Sequence, residues 1–319
     1  MKTSKEEPLV SVVVTTYNRK ELLKKTIDSI LNQTFRNFEL IVVDNFSDYD
    51  FLSHMKSFND DRIIHFQNSN NGIIAVNRNY GINKARGKYI AFCDDDDYWK
   101  RNKLQIQLVH FTDDIIGVGS SSIKVGNISL HRHKNKIEKD LMLGFYDLLS
   151  KTKASLSSLV VVNQGFMFDE NEKFTSVEDF DYQLNITLQT KKKIKIISEP
   201  LIYYRLHPEN KSGDEKIAEN GFNVYHKYRH LISEDQMKEL YHKRYFGLGI
   251  RAIRNGSKNA KKYFMAARKS ALGRDKVLSI IMEFVAAMPP KLTKITMLLY
   301  YKLLNSAHPE MPFIRQQKG

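Results

Sequence analysis

At 319 residues the chain can build one large domain, or a domain with an appendage, around a sizeable core. An apolar share of 42% with 11% aromatics excludes a disordered chain, and a single cysteine, Cys93, excludes an internal disulfide or a CxxC zinc site. The net charge of +14 is concentrated: residues 216–319 hold 20 Lys and Arg against 7 Asp and Glu, whereas residues 1–215 hold 30 against 29. A near-neutral first two-thirds without an RRM, KH or zinc pattern argues against nucleic acid as the partner. The opening "MKTSKEEPLV" has no apolar core of a signal peptide, so a cytoplasmic, reducing setting is expected.

In chain order, "VSVVVTT" is a continuous β-branched run, the pattern of a strand buried on both faces. "NRKELLKKTIDSILNQ" predicts a helix with Leu22, Leu23, Ile27, Ile30 and Leu31 on one stripe and Asn18 as its N-cap. "FELIVVD" and "RIIHF" read as the second and third strands, "IIAVNRNYGINKA" as a helix ending near Gly87, and "KYIAFC" as the fourth strand. This alternation predicts an α/β fold with a mostly parallel central sheet flanked by helices. Further on, "IGVGSSSIKV" and "SLSSLVVV" look like strands, with "HRHKNKIEKD" between them as a mobile basic loop. "TSVEDFDYQLNITLQT" predicts a helix bearing Val177, Phe180, Leu184 and Leu188 on one stripe. "KIKIIS" and "LIYYRL" suggest two strands around Pro200, and beyond about residue 215 the chain reads as helical. The expected organisation is a flexible 1–8, a domain over 9–215, and a basic helical region over 216–319. Neither GxGxxG nor GxxxxGK[ST] occurs.

Polar clusters follow three of these strands: Thr15-Thr16-Tyr17-Asn18, Asp44-Asn45-Phe46-Ser47-Asp48, and Asp94 to Asp97. Open α/β sheets bind ligands outside the carboxyl ends of their strands, so the clusters predict one polar, metal-assisted site. Four consecutive aspartates beside the chain's only tryptophan repel one another by roughly 1–3 kcal/mol per adjacent pair, depending on the local dielectric. They either lie in solvent or meet a cation.

The segments "VSVVVTTYN", "QTFRNFELIVVDNFSD", "NRNYGINKARGKYIAFCDDDDYW", "FDENEKFTSVEDFDYQL" and "YRLHPENKS" occur in order over residues 9–211. Together they resemble the family 2 glycosyltransferases of the GT-A fold, inverting enzymes that move a sugar from a nucleotide diphosphate to an acceptor hydroxyl. The resemblance implies that Thr15, Tyr17 and Asp44 hold the nucleotide base. Asp94 to Asp96 match the family's D-x-D acids, with Asp96 as metal ligand and Asp95 at the ribose. Asp179 matches the general base, with Glu178 and Asp181 as neighbouring alternatives. His207 matches a position near the metal or diphosphate, and Arg78 a nucleotide-side cation. A divalent cation, Mn²⁺ or Mg²⁺, and a UDP-linked donor are implied as well.

These roles suit the chemistry. Departure of a nucleoside diphosphate builds negative charge that a hard divalent ion on carboxylate oxygens offsets, while the attacking hydroxyl needs a carboxylate on the far side of the sugar. Structural readings stand beside them. Asp44 would equally cap the turn through "DNFSD", Ser176 with Asp179 would form a capping box, and His207 would be an ordinary strand-end residue. A sugar-phosphate nucleotidyltransferase is the rival enzyme class, though "TTYNRKEL" lacks the glycine-rich loop such enzymes carry. A nucleotide-sugar-binding protein without transfer activity is the other alternative. Over 257–304, Lys and Arg alternate with Leu, Ile, Phe, Met and Tyr, and no uncharged run reaches the ~20 residues of a membrane span. That pattern suits a helix in the headgroups of an anionic membrane, which would bring a peripheral enzyme to a lipid-linked glycan acceptor. A helical bundle with a basic exterior is the competing reading.

Overall fold

The computed structural model describes residues 7–126, 134–135, 137–150, 154–207, 215–271, 273–289, 292–293 and 296. Most of the expected flexible 1–8 segment, part of the basic stretch 131–140 and the end of the basic tail lie outside the described residues. The chain divides into two compact units, Met1–Glu209 and Asn210–Gly319.

The first half of unit one alternates β1 (Val10–Thr16), α1 (Lys20–Leu31), β2 (Phe38–Asp44), α2 (Phe51–Lys56), β3 (Ile63–Gln67), α3 (Ile74–Lys84) and β4 (Tyr89–Asp94). These four strands are parallel in the order β3-β2-β1-β4. Every residue of β1 and β2 is buried, which is why their sequences are near-continuous apolar runs rather than alternations, with Ser11 and Glu39 hydrogen-bonded to each other inside. Helix α1 turns Leu23, Thr26, Ile27 and Ile30 inward onto a core that includes Val12, Leu40 and Trp99. Gly87 sits where β4 begins, and a Cβ there would fall 2.6 Å from the backbone nitrogen of Ser11, so only glycine lets the strands approach.

The second half carries β5 (Tyr98–Trp99), α4 (Lys103–Leu108), β6 (Ile115–Val125), β7 (Lys134–Asn135), β8 (Leu141–Leu143), α5 (Phe145–Ser150), β9 (Val160–Val162), α6 (Glu178–Thr190) and β10 (Lys193–Arg205). Strand β9 runs antiparallel between β4 and β6, β10 is parallel to β6, and β5 closes the edge antiparallel to β10. The sheet is therefore mixed but mostly parallel, with strand carboxyl ends gathered around the acidic run.

Several local expectations are corrected. Asn18 does not cap α1: it adopts a left-handed φ of 52°, and Arg19 holds the cap position without a side-chain bond. Ser176 and Asp179 form no capping box, because α6 begins one residue later behind Val177 and Ser176 is left-handed at φ 66°. The two strands around Pro200 are one, β10, whose register with β6 shifts between Ile197 and Ile202; the missing proline N–H is tolerated at that irregularity. "SLSSLVVV" opens with a 3-10 turn over Leu156–Ser158 before β9. The stretch expected as a basic loop contributes the two-residue β7, paired with β6.

Among its described residues unit two is helical: α7 (Glu215–Lys227), α8 (Glu234–Arg254), α9 (Ala260–Ser270) and α10 (Gly273–Ala287). A capping box of Ser233 and Gln236 starts α8. Leu248 and Ala252 of α8 pack with Tyr263 and Phe264 of α9 and with Met282 and Val285 of α10.

Candidate active site

The loops after β1 and β2 are stapled together. Asn18 Nδ2 donates to Asp48 Oδ2, and the Asp48 amide donates back to Asn18 Oδ1, each at 2.7 Å. The Asn18 amide donates to Ser47 Oγ at 2.7 Å, and this network accounts for the left-handed Asn18. Asp44 is fully buried: its Oδ1 accepts from Ser47 Oγ at 2.5 Å, and its Oδ2 accepts from the Ser47 amide and Gln67 Nε2 at 3.0 Å each. The turn-capping role is thus present in the structure. Thr15 is buried at the end of β1, while Tyr17 and Phe46 stand on the stapled loops about half exposed, at 52% and 57%. The two rings offer flat apolar surface at the carboxyl edge of the sheet; the ring of Phe46 was not singled out from sequence.

Beyond β4 the chain folds into a tight turn, pinned from α1 by Thr26 Oγ1, which lies 2.9 and 2.6 Å from the carbonyl oxygens of Asp95 and Asp97. The turn sends the four carboxylates two ways. Asp95 points inward, where Thr16 Oγ1 donates to it at 2.8 Å and Arg19 Nη1 at 2.9 Å. Burial first, and then the Asp96 charge, lift the Asp95 carboxyl to about 6 against the pull of Arg19. Asp94, Asp96 and Asp97 face one another, with an oxygen of each within 4.8 Å of the others. So Asp95, expected at the ribose, is engaged by Thr16 and Arg19, and Asp97, given no role from sequence, joins Asp94 and Asp96 from a buried position.

Each member of the group is held differently. Asp94 Oδ1 accepts from Arg78 Nη2 at 2.9 Å. Asp96 Oδ2 lies 2.9 Å from His207 Nε2 and accepts from Arg19 Nη1 at 3.1 Å. Asp97 is 1% exposed; its Oδ1 accepts from the Arg205 amide at 3.0 Å, while its Oδ2 is buried with no hydrogen-bond partner. The Ser157 hydroxyl donates to Asp94 Oδ2 at 3.4 Å. Burial, and then the charges of Asp96 and Asp94, push the Asp97 carboxyl well up; burial and then Asp96 also raise Asp94. Three crowded acids, one with an orphaned buried oxygen, form an all-oxygen donor set that fits a hard divalent cation.

The start of α6 is tied to this group through Arg78. Arg78 of α3, almost fully buried, reaches Asp94 with one arm and Glu178 Oε1 with the other, at 2.5 Å. Burial alone would lower the Arg78 pKa, but Asp94 and Glu178 outweigh it and raise it, so the guanidinium stays charged. Arg78, expected as a nucleotide-side cation, bridges two acids, and Glu178 is its buried ion-pair partner. Asp179, the next residue, is half-buried, and its charge acts on both Arg78 and Asp94. The base candidate thus lies within electrostatic reach of the acidic run, 82 positions away in sequence (97 to 179). Three acids in the first turn of α6 also suit the positive end of its dipole.

The glycosyl transferase family 2 model matches residues 11–174, about half of the chain, including the acidic turn and every strand of the sheet except β10. This chain belongs to that family. The glycosyltransferase is 31% identical over 245 residues to the Campylobacter jejuni "GalNAc(5)-diNAcBac-PP-undecaprenol beta-1,3-glucosyltransferase", covering 72% of this chain and 76% of that one. It is 28% identical over 219 residues to the Escherichia coli "UDP-Glc:alpha-D-GlcNAc-diphosphoundecaprenol beta-1,3-glucosyltransferase WfaP", covering 65% of this chain and 81% of the other. Among solved structures, residues 1–349 of S. aureus TarS in complex with UDP-GlcNAc superpose with a TM-score of 0.61 at 16% identity, covering 87% of this chain and 88% of that one. The glycosyltransferase accordingly has the GT-A fold, a mostly parallel mixed sheet flanked by helices and followed by a helical region.

Proposed function

We propose that this glycosyltransferase moves a sugar from a UDP-sugar to a hydroxyl of a glycan carried on a lipid diphosphate, with inversion at the anomeric carbon. Two relatives that match most of their own length are named for glucosyl transfer to diphosphoundecaprenol-linked sugars, and one of those names specifies UDP-Glc. Family membership favours this reading over a nucleotidyltransferase.

The observation that supports the mechanism is the convergence of Asp94, Asp96 and Asp97, with Asp179 within electrostatic reach of Asp94. Asp94, Asp96 and Asp97 would hold a divalent cation, whose charge when bound offsets that of the departing diphosphate. Tyr17 and Phe46 offer stacking faces to the base, and the buried Thr15 stands at the end of β1, two residues before Tyr17. Asp44 shapes this subsite by fixing the Ser47 turn. Asp179 accepts the proton of the acceptor hydroxyl as its oxygen forms the new bond to the anomeric carbon; the bond to the diphosphate breaks and its electron pair leaves with the UDP. Glu178 and Arg78 set the position of Asp179 by tying the start of α6 to Asp94. His207 orients Asp96.

Asp179→Asn tests the base. UDP-sugar binding by calorimetry is expected to stay within a few-fold of the parent, while single-turnover transfer falls by about 10²–10⁴. Transfer within tenfold of the parent enzyme would remove Asp179 from this role.

A further inference from the structure

Helix α10 is apolar on two sides. One side carries Leu278, Met282 and Val285 into the packing with α8 and α9, and Ser279 is buried with them. The other presents Val277, Ile281 and Phe284 to solvent at 57%, 51% and 69%, followed just past the helix end by Met288 at 39%. Steps of four, three and four residues place these side chains in a single line along the helix. Core packing does not account for a continuous water-facing apolar line, and such patches mark interaction surfaces.

The acids avoid it. Between Lys276 and Pro289 the only acid is Glu283, which is turned inward at 13% exposure, 3.1 Å from Arg268 Nε. The preceding stretch 257–276 holds seven Lys and Arg against one Asp, and Lys261, Lys262, Lys269 and Lys276 are exposed. We infer that this face of α10 docks the enzyme on an anionic phospholipid bilayer, lying flat with Ile281 and Phe284 among the acyl chains. Its fifteen residues extend about 22 Å and, like every described helix, it is not long and apolar enough to cross a membrane. Charge favours lipid over a second copy of the chain, because self-association would bring two regions of +13 together, whereas an anionic surface attracts them. The inference rests on the lipid-diphosphate acceptor reading for its use: an enzyme held on the surface meets its acceptor there.

The test is co-sedimentation of the full chain with vesicles, read without any turnover, so that loss of docking and loss of transfer are distinguished. The parent protein is expected to bind vesicles of mixed phosphatidylglycerol and phosphatidylcholine, to release as salt rises, and to bind phosphatidylcholine alone much more weakly. Ile281→Ser with Phe284→Ser should lower partition by roughly tenfold or more with an unchanged circular-dichroism melt. Should that variant fold poorly, Phe284→Trp keeps the face apolar, and its fluorescence should be quenched by brominated lipids while the buried Trp99 is not. Equal partition of the serine variant, no vesicle binding by the parent, or an unquenched Trp at 284 would each overturn the proposal. So would a parent dimer, by sedimentation velocity, that the serine pair dissociates.

Discussion

Arg19 occupies the acidic turn as a resident positive charge. Its single Nη1 contacts both Asp95 and Asp96, at 2.9 and 3.1 Å, so it steadies carboxylates that would otherwise repel. A divalent ion on Asp96 would sit beside that charge. Arg19→Met is therefore expected to lower the melting temperature of the metal-free protein while raising Mn²⁺ affinity by about three- to tenfold, read by electron paramagnetic resonance titration. A fall in affinity of that size would instead mean that Arg19 arranges the acids for the ion. Lys103 offers a second test, of stability alone. It is fully buried, its Nζ has no hydrogen-bond partner, and it lies 3.9 Å from the centroid of the Trp99 ring. Burial pulls its pKa down to about 7. The unfolded chain binds this proton up to about pH 10, so between pH 7 and 10 unfolding takes up a proton and stability rises with pH. Below pH 7 both states are charged and the penalty is complete. Lys103→Met, similar in volume, should stabilise the protein by about 1–3 kcal/mol below pH 7, with the gain shrinking toward pH 10 in urea titrations. A gain that grows with pH would contradict this.

At the scale of elements, one buried arginine joins three of them: Arg78 of α3 holds the end of β4 through Asp94 and the start of α6 through Glu178. Removing it leaves Glu178 buried with no cation, so Arg78→Met should cost about 3–5 kcal/mol, and the double variant with Glu178→Gln should recover part of that loss. A single-variant loss below about 1 kcal/mol would mean that the bridge is not what positions α6. This bridge was not legible in sequence, because its ends lie 100 residues apart and neither residue type states its partner. What was legible came from pattern: the near-continuous apolar runs of β1 and β2, the apolar stripe of α1, and three strands each ending in polar residues. Short or irregular elements escaped. A two-residue strand such as β5 has no period to read, and Pro200 looks like a break because only the register shift with β6 lets β10 pass through it. Asn18 matched a helix-cap pattern, but its bonds to Asp48 and Ser47 hold it in a left-handed conformation that competes with capping.

Across the whole molecule, the carboxyl ends of β1, β2 and β4 gather exposed aromatic rings, a stapled turn and the acidic run on one edge of the sheet, and α6 brings Asp179 to the same edge. A run of four identical acids does not say which of them converge: the turn directs Asp95 toward Thr16 and Arg19 and brings Asp97 to Asp94 and Asp96. The most direct measurement is a Mn²⁺ titration by electron paramagnetic resonance in the presence of UDP, comparing the parent with Asp97→Asn and with Asp179→Asn. The structure predicts one site per chain in the parent, weakened at least about tenfold by Asp97→Asn and within about threefold of the parent in Asp179→Asn. Equal Mn²⁺ affinity in the parent and Asp97→Asn would contradict the assignment of the ion to this turn.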